Sequence, residues 1–346
     1  MADSIPSKRL KVIEALSREL EKPKYADGLA LPSEGALQQR LGVSRGTIRQ
    51  ALAELEQHDL IYRIKGKGTF VRPKEEARPK PVVFLIREPW KVSHFHNAEL
   101  LRGMQMAATA AGASVLVNSQ TPGEWTVEFC NSIAGVVVLP RLLVDSDLLV
   151  LRQRRVPYCM AMESDLEGAT IVDHIEEAAY ELANGLIELG HRRIALLSGH
   201  FEHSDRFKKR GIERAAKEAG IDFRTWPDYC TNYEAALAYE IAQDIMGQRN
   251  RPTAIIGFDN VLAVQAIRAA KDAGLQLPQD LSVVGFGGRD FSDLMDPALS
   301  TVNLRGELAG KLAVESLLSS TWTGDRRIEA GYDLVWRGSS GDCAAE

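Results

Sequence analysis

Leu31-Pro32-Ser33-Glu34-Gly35-Ala36-Leu37-Gln38-Gln39-Arg40-Leu41-Gly42-Val43-Ser44-Arg45-Gly46-Thr47-Ile48-Arg49-Gln50-Ala51-Leu52-Ala53-Glu54-Leu55 reads as two short helices joined by a turn. In the second, Ile48, Ala51, Leu52 and Leu55 recur at i, i+3, i+4 and i+7, so one face is core. Gly42 suits the end of the first helix, and Ser44 is placed to cap the second by accepting a free N–H of its first turn. Arg45 and Arg49 are four apart, opposite Leu52, with Thr47 near the helix N-terminus, where a docked helix meets base edges. A guanidinium can grip guanine O6 and N7 bidentately. Further on, Leu60-Ile61-Tyr62-Arg63-Ile64 and Thr69-Phe70-Val71 flank Lys65-Gly66-Lys67-Gly68, whose glycines permit a tight hairpin loop. A hairpin with lysines at its tip is a wing, able to approach phosphates closely.

Singly, each of these fragments is more often an ordinary solvated surface. In this order and spacing they closely resemble the GntR family of bacterial transcription regulators, over about residues 8 to 73. That family's Ser-Arg-x-Thr-x-Arg pattern is matched by Ser44, Arg45, Thr47 and Arg49, and its wing pattern Gly-x-Gly-Thr by Gly66, Gly68 and Thr69. The resemblance implies that these residues, with Ser33, Glu34, Lys65 and Lys67, contact double-stranded operator DNA. One departure is visible: the family commonly has arginine after Pro-Ser-Glu, and this chain has Gly35.

Charge divides along the same line. Met1 to Lys80 carries 16 Lys and Arg against 11 Asp and Glu, a formal +5, which leaves 26 against 36, or −10, for the rest. A basic head is drawn to the phosphate backbone while an acidic body is held off it, so DNA contact is confined to one end of the chain. The 346 residues suggest two or three domains. The four cysteines, Cys130, Cys159, Cys230 and Cys343, form no C-x-x-C pair and indicate neither a zinc ribbon nor a disulfide framework. No charged-then-apolar leader and no apolar run of membrane-spanning length is visible, so a cytoplasmic protein without a membrane partner is expected.

Pro73-Lys74-Glu75-Glu76-Ala77-Arg78-Pro79-Lys80-Pro81 is charged, proline-punctuated and free of large apolar residues, and reads as a linker between a head at 1–72 and a body at 82–340. The body repeats a short apolar run followed by a helix-length segment, the mark of parallel sheets covered by helices. Strands are expected at Val82–Ile86, Gly135–Leu139, Ile194–Leu197, Ala254–Phe258 and Leu281–Phe286, each buried on both faces. Helices are expected at Ala98–Ala111, Glu176–Leu189, Asp205–Ala219, Asn260–Ala273 and Gly306–Leu318, several stopped by Gly112, Gly190, Gly220 or Gly274. Two lobes fit the length better than one. The fold class expected is therefore α/β: a winged helix-turn-helix plus a two-lobed Rossmann-like body.

Ligands collect beyond the carboxyl ends of such strands. The residues there are Trp90, Ser93, His94, Phe95 and Asn97, then Asp205, Arg206 and Lys208, then Asp259 and Asn260, then Arg289 and Asp290. Polar groups interleaved with rings suit a small polar ligand, although many such residues serve only as helix caps. Ile187 to Ala195, Gly274 to Phe286 and Pro297 to Val302 are similar to the effector domain of the lactose-repressor family, itself similar to periplasmic sugar-binding proteins, and the likeness runs from about Pro81 to Ser340. The pairing of such a body with a GntR-type head is similar to the arabinose-repressor branch of the GntR family. That resemblance implies a homodimeric repressor on a pseudo-palindromic operator, whose body binds a sugar or related metabolite and then loosens the heads; a corepressor is the alternative.

Position by position, the family's arginine three residues before a glycine falls on Lys208, ahead of Gly211, with Arg206 nearby. Its aspartate after Gly-Phe or Gly-Tyr falls on Gly287, its asparagine or glycine just before the aspartate of the preceding strand on Phe258, and its stacking aromatic on Tyr233. An enzyme is the competing class, since Ser198, His200, His203 and Asp205 share one segment, but no G-x-S-x-G elbow precedes them. The His94-x-His96 and His200-x-x-His203 spacings are not completed into a recognisable metal site. No cofactor is expected.

Overall fold

The computed structural model describes residues 12–13, 15–17, 20, 30–57, 60–64, 67–71, 79–87, 95–139, 145–199, 202–287, 291–319, 322 and 324–343, with the side chains of residues 95, 145, 202 and 203 set aside. Lys65, Gly66, Ser93, His94, Arg289 and Asp290 lie outside the described residues, as does most of the expected linker. The chain separates into two compact units, Met1–Arg78 and Pro79–Glu346.

In the first unit, α1 (Glu34–Leu41) is capped by Ser33 and ends at Gly42 in the left-handed conformation. Helix α2 (Arg45–Gln57) follows, and the strands β1 (Ile61–Ile64) and β2 (Gly68–Val71) form an antiparallel hairpin pairing Ile64 with Gly68. Ile48, Ala51, Leu52 and Leu55 are all buried, together with Leu16, Leu37 and Ile61, as the helical spacing requires. Tyr62 and Phe70 stack across the hairpin.

In the second unit, each expected strand is present and buried on both faces: β3 (Val82–Leu85), β5 (Gly135–Val138), β8 (Ile194–Ser198), β10 (Ala254–Gly257) and β11 (Ser282–Phe286). Shorter strands complete two sheets: β4 (Val115–Asn118), β6 (Tyr158–Met160), β7 (Ala169–Val172), β9 (Asp228–Cys230), β12 (Ser300–Asn303), β13 (Arg327–Glu329) and β14 (Asp333–Val335). The first lobe has the order β13-β7-β6-β5-β3-β4 and the second β14-β12-β11-β10-β8-β9. All pairs are parallel except β12 with β14.

The helices are α3 (Phe95–Ala110), α4 (Val127–Ser132), α5 (Asp145–Gln153), α6 (Ile175–Glu188), α7 (Glu202–Glu218), α8 (Ala235–Met246), α9 (Asn260–Asp272) and α10 (Gly306–Leu318). Helix α10 returns to the first lobe and packs on α3, joining Ala309, Ala313 and Val314 to a core with Leu100 and Met104. The two backbones touch through glycine. A Cβ at Gly310 would stand 2.0 Å from the Leu100 carbonyl oxygen, and one at Gly103 would stand 1.8 Å from that of Glu307. Because backbone cannot step aside as a flexible side chain can, Gly310→Ala is expected to destabilise the body by about 1–3 kcal/mol or more. Urea unfolding checks this, and a variant as stable as the parent would contradict the packing.

The chain crosses between lobes three times: from β7 into α6, from β12 into α10, and from β13 into β14. Each crossing carries a left-handed residue: His174 at φ 53°, Arg305 at φ 49° and Gly331 at φ 68°. The first two are not glycine, so local strain is held there by the surrounding bonds. His174 Nε2 meets Glu329 at 2.5 Å, and Arg305 donates to Asp333 at 2.6 Å and to the Ala330 carbonyl at 3.1 Å, tying the crossings together.

Candidate DNA-reading and effector sites

The recognition candidate is built locally. Ser44 Oγ accepts from the Thr47 N–H at 3.2 Å and bonds the Thr47 hydroxyl at 2.8 Å, so cap and first turn are locked together. Ser33 likewise caps α1 by accepting from the Ala36 N–H. From α1, Glu34 reaches across the turn. Its Oε2 accepts from Arg49 Nε at 2.9 Å and from Arg45 Nε at 3.3 Å, while both arginine side chains keep 60% or more of their surface in solvent. Burial raises the proton affinity of this carboxyl, but the hydrogen bonds and charges of Arg49 and Arg45 outweigh it and hold Glu34 below the ordinary carboxylate range. Gly35 faces open space, so its backbone neighbours impose no reason for glycine there. The wing residues Lys67, Gly68 and Thr69 stand at the hairpin end, where Lys67 N–H donates to Ile64.

The effector candidates converge less completely. Lys208, on α7, is buried, its Nζ donating to the Phe258 carbonyl at 2.6 Å and lying 5.1 Å from the Phe286 ring, 5.3 Å from Phe258 and 6.0 Å from Tyr233. An ammonium among rings is attracted by their negative faces. Phe258 itself is wholly buried and meets Lys208 through both its carbonyl and its ring, so neither is left facing solvent. Tyr233 follows Asn232 in a left-handed pair and hydrogen-bonds through its hydroxyl to Asp205, whose other oxygen accepts from the Gly199 N–H at 3.1 Å. Arg206 forms an ion pair with Asp165, a residue of the opposite lobe. Asp259 caps α9, accepting from the Leu262 N–H.

Gly287 has φ 150°, and a Cβ there would meet Asn260 Nδ2 at 3.0 Å. The loss of the resemblance's aspartate at this position is thus built into the backbone. Asn260, buried, accepts instead from Thr301 at 2.7 Å.

One group escaped the sequence reading. Asp173, at the first lobe crossing, is 1% exposed, and burial pushes its carboxyl up to about 7, while the Glu163 N–H bond and the Lys208 charge pull the other way. Its only sequence signal is its place after the apolar run Ala169–Val172. Of the enzyme-like cluster, Ser198 donates to Asp228 at 2.5 Å and does not meet Asp205, which is held by Gly199 and Tyr233.

Against known families, residues 8–71 match the model of bacterial regulatory proteins, gntR family, and residues 183–340 match a periplasmic binding protein-like domain. The chain joins a GntR-type head to a periplasmic-binding-protein-like body. With this pairing, it is 27% identical over 330 residues to the arabinose metabolism transcriptional repressor of Geobacillus stearothermophilus, covering 89% of this chain and 88% of that protein. The HTH-type transcriptional repressor PurR of Photobacterium profundum is 32% identical over 208 residues, 58% of this chain and 62% of its own length. Among solved structures, the transcriptional regulator CelR–cellobiose complex superposes with a TM-score of 0.68 at 18% identity, over 86% of this chain and 91% of that one. A LacI family regulator from Enterococcus faecium with bound ribose gives 0.65 at 17%, over 76% and 99%. These likenesses support the two-lobed fold beside the GntR-type head. Among the described residues, no helix is long and apolar enough to cross a membrane, and no three His, Cys, Asp or Glu side chains are grouped to hold a metal.

Proposed function

We propose that this chain is a ligand-responsive, sequence-specific DNA-binding repressor, released from its operator by a sugar or related small metabolite. The observation that carries the reading is the pair Arg45 and Arg49, held side by side and exposed on a capped helix, in a chain whose body has two lobes joined by three crossings. The relative named for arabinose metabolism and the cellobiose- and ribose-bound regulators of similar fold favour a sugar. The body closes around its ligand with Lys208, Tyr233 and the Arg206–Asp165 pair at the cleft, and closure alters the spacing of two heads in a homodimer. Met106, Leu116 and Val117, on α3 and the edge strand β4, are 41–56% exposed and supply an apolar face for the second copy.

A metabolite panel scored by thermal shift, followed by operator binding with each hit, tests this. A true effector at 100 times its Kd stabilises the body by about 2.7 kcal/mol, which is several degrees for a domain of this size. Lys208→Met is expected to remove that shift while leaving the unliganded protein folded, because the loss of its polar contacts is offset by removing a buried charge and keeping the apolar stem among the rings. A variant that keeps the full shift would remove Lys208 from the site. An effector that tightens operator binding would make the protein a corepressor-dependent regulator instead.

A further inference from the structure

Arg45 and Arg49 share one oxygen of Glu34, so their Nε atoms lie within about 6 Å of each other. Base pairs in a duplex stack about 3.4 Å apart, so two guanidinium groups at that spacing can address guanines no more than about two steps apart. Each arginine spends its Nε on the carboxylate. The terminal Nη1 and Nη2 edge, which can bind guanine O6 and N7 end-on, lies outside that contact. Glu34 also cancels one of the two positive charges that would otherwise be drawn to any phosphate.

We propose that Glu34 is not itself a base reader but the positioning residue that sets operator specificity, clamping Arg45 and Arg49 for joint end-on reading of closely spaced guanines and withholding them from the phosphate backbone. The inference rests on α2 being the recognition helix. It assigns a different task to Glu34 from that of Arg45, Arg49 and Thr47: the carboxylate acts through the arginines. Three features favour it. The carboxylate is only 24% exposed where its partners are 60% and 64% exposed, it comes from a different helix, and its ionised form is the one the two arginines stabilise. A clamp from a separate helix fixes two long side chains that would otherwise sample many rotamers, which lowers the entropy lost on docking.

The test uses the full chain and a randomised duplex library. The parent protein is expected to enrich a sequence with guanines in each half-site. Glu34→Gln keeps the shape of the side chain but not its charge. It is expected to reduce discrimination between the enriched duplex and a scrambled one by tenfold or more, to bind the scrambled duplex several-fold more tightly, and to steepen the salt dependence by up to about 0.9 per guanidinium released to phosphate. Glu34→Asp, which withdraws the charge by one methylene, should fall between the two. Unchanged discrimination in Glu34→Gln, or an equal loss on both duplexes with an unchanged salt slope, overturns the clamp while leaving the head a DNA reader. A parent protein that enriches no sequence overturns the DNA-reading assignment and the clamp together.

Discussion

Replacing Arg45 and Arg49 together by alanine is expected to abolish operator preference, with a loss of roughly 100-fold or more in affinity for the selected duplex and a smaller, purely electrostatic loss for a scrambled one. Each bidentate guanine contact carries about 1–3 kcal/mol of discrimination, and about 1.4 kcal/mol is tenfold. The two substitutions should not add simply. Arg49→Ala alone leaves Glu34 paired with Arg45, whereas the double variant leaves an unpaired carboxylate facing the DNA phosphates, so its loss should exceed the sum of the single losses. Because head and body are separate compact units, the thermal shift given by an effector should persist in the double variant. Competition binding at fixed salt decides the matter; selective binding retained by the double variant would remove α2 from the role of reader.

The parts of the molecule visible in the sequence are those decided by neighbours in the chain. The face of α2, its Ser44 cap and the hairpin follow from spacings of four residues or fewer, and they recur in the structure with shifts of a residue at the ends. The stops at Gly112, Gly190, Gly220 and Gly274 also recur, each with positive φ, because a left-handed helix end favours glycine over other residues. The five central strands were legible as apolar runs buried on both faces. Strands β4, β6, β7, β9 and β12 to β14 were not: each is three or four residues long, and several, such as Tyr158-Cys159-Met160, carry no alternation or turn residues to mark them. Helix α8 was missed as well, although its buried Ala238, Ala242 and Ile245 keep the helical spacing.

The sites divide in the same way. Arg45 and Arg49 announce themselves by a local pattern, but the carboxylate that joins them is 11 and 15 residues away. Lys208 and the Phe258 carbonyl are separated by 50 residues, and Arg206 and Asp165 by 41, so only the folded lobes bring them together. Long-range pairs of this kind leave no period in a sequence. Gly287 is a different case, since the departure was visible but its cause, the left-handed backbone against Asn260, was not.

Asp173→Asn is expected to stabilise the body at pH 8, by up to about 4 kcal/mol, and to flatten its stability between pH 4 and 7. In the folded chain the carboxyl is raised from 3.8 to about 7, mainly because burial disfavours its charged form. Across that window the unfolded chain has released the proton while the folded chain retains it, so stability is greatest below about pH 4, falls as pH rises, and levels off above about 7. About 1.36 kcal/mol per pH unit over that span gives the upper figure. Asparagine keeps an acceptor for the Glu163 N–H and removes the buried charge, though Lys208 then loses a favourable neighbour, which offsets part of the gain. Urea unfolding of both proteins at pH 4.5 and 8 measures the difference; equal stabilities at pH 8, or a difference independent of pH, would contradict the burial of an ionising carboxyl. A costly acid at a lobe crossing beside Lys208 is the kind of local inconsistency that functional sites retain. If Asp173→Asn is more stable yet no longer gains a thermal shift from the effector, the cost is maintained for the ligand rather than for the fold.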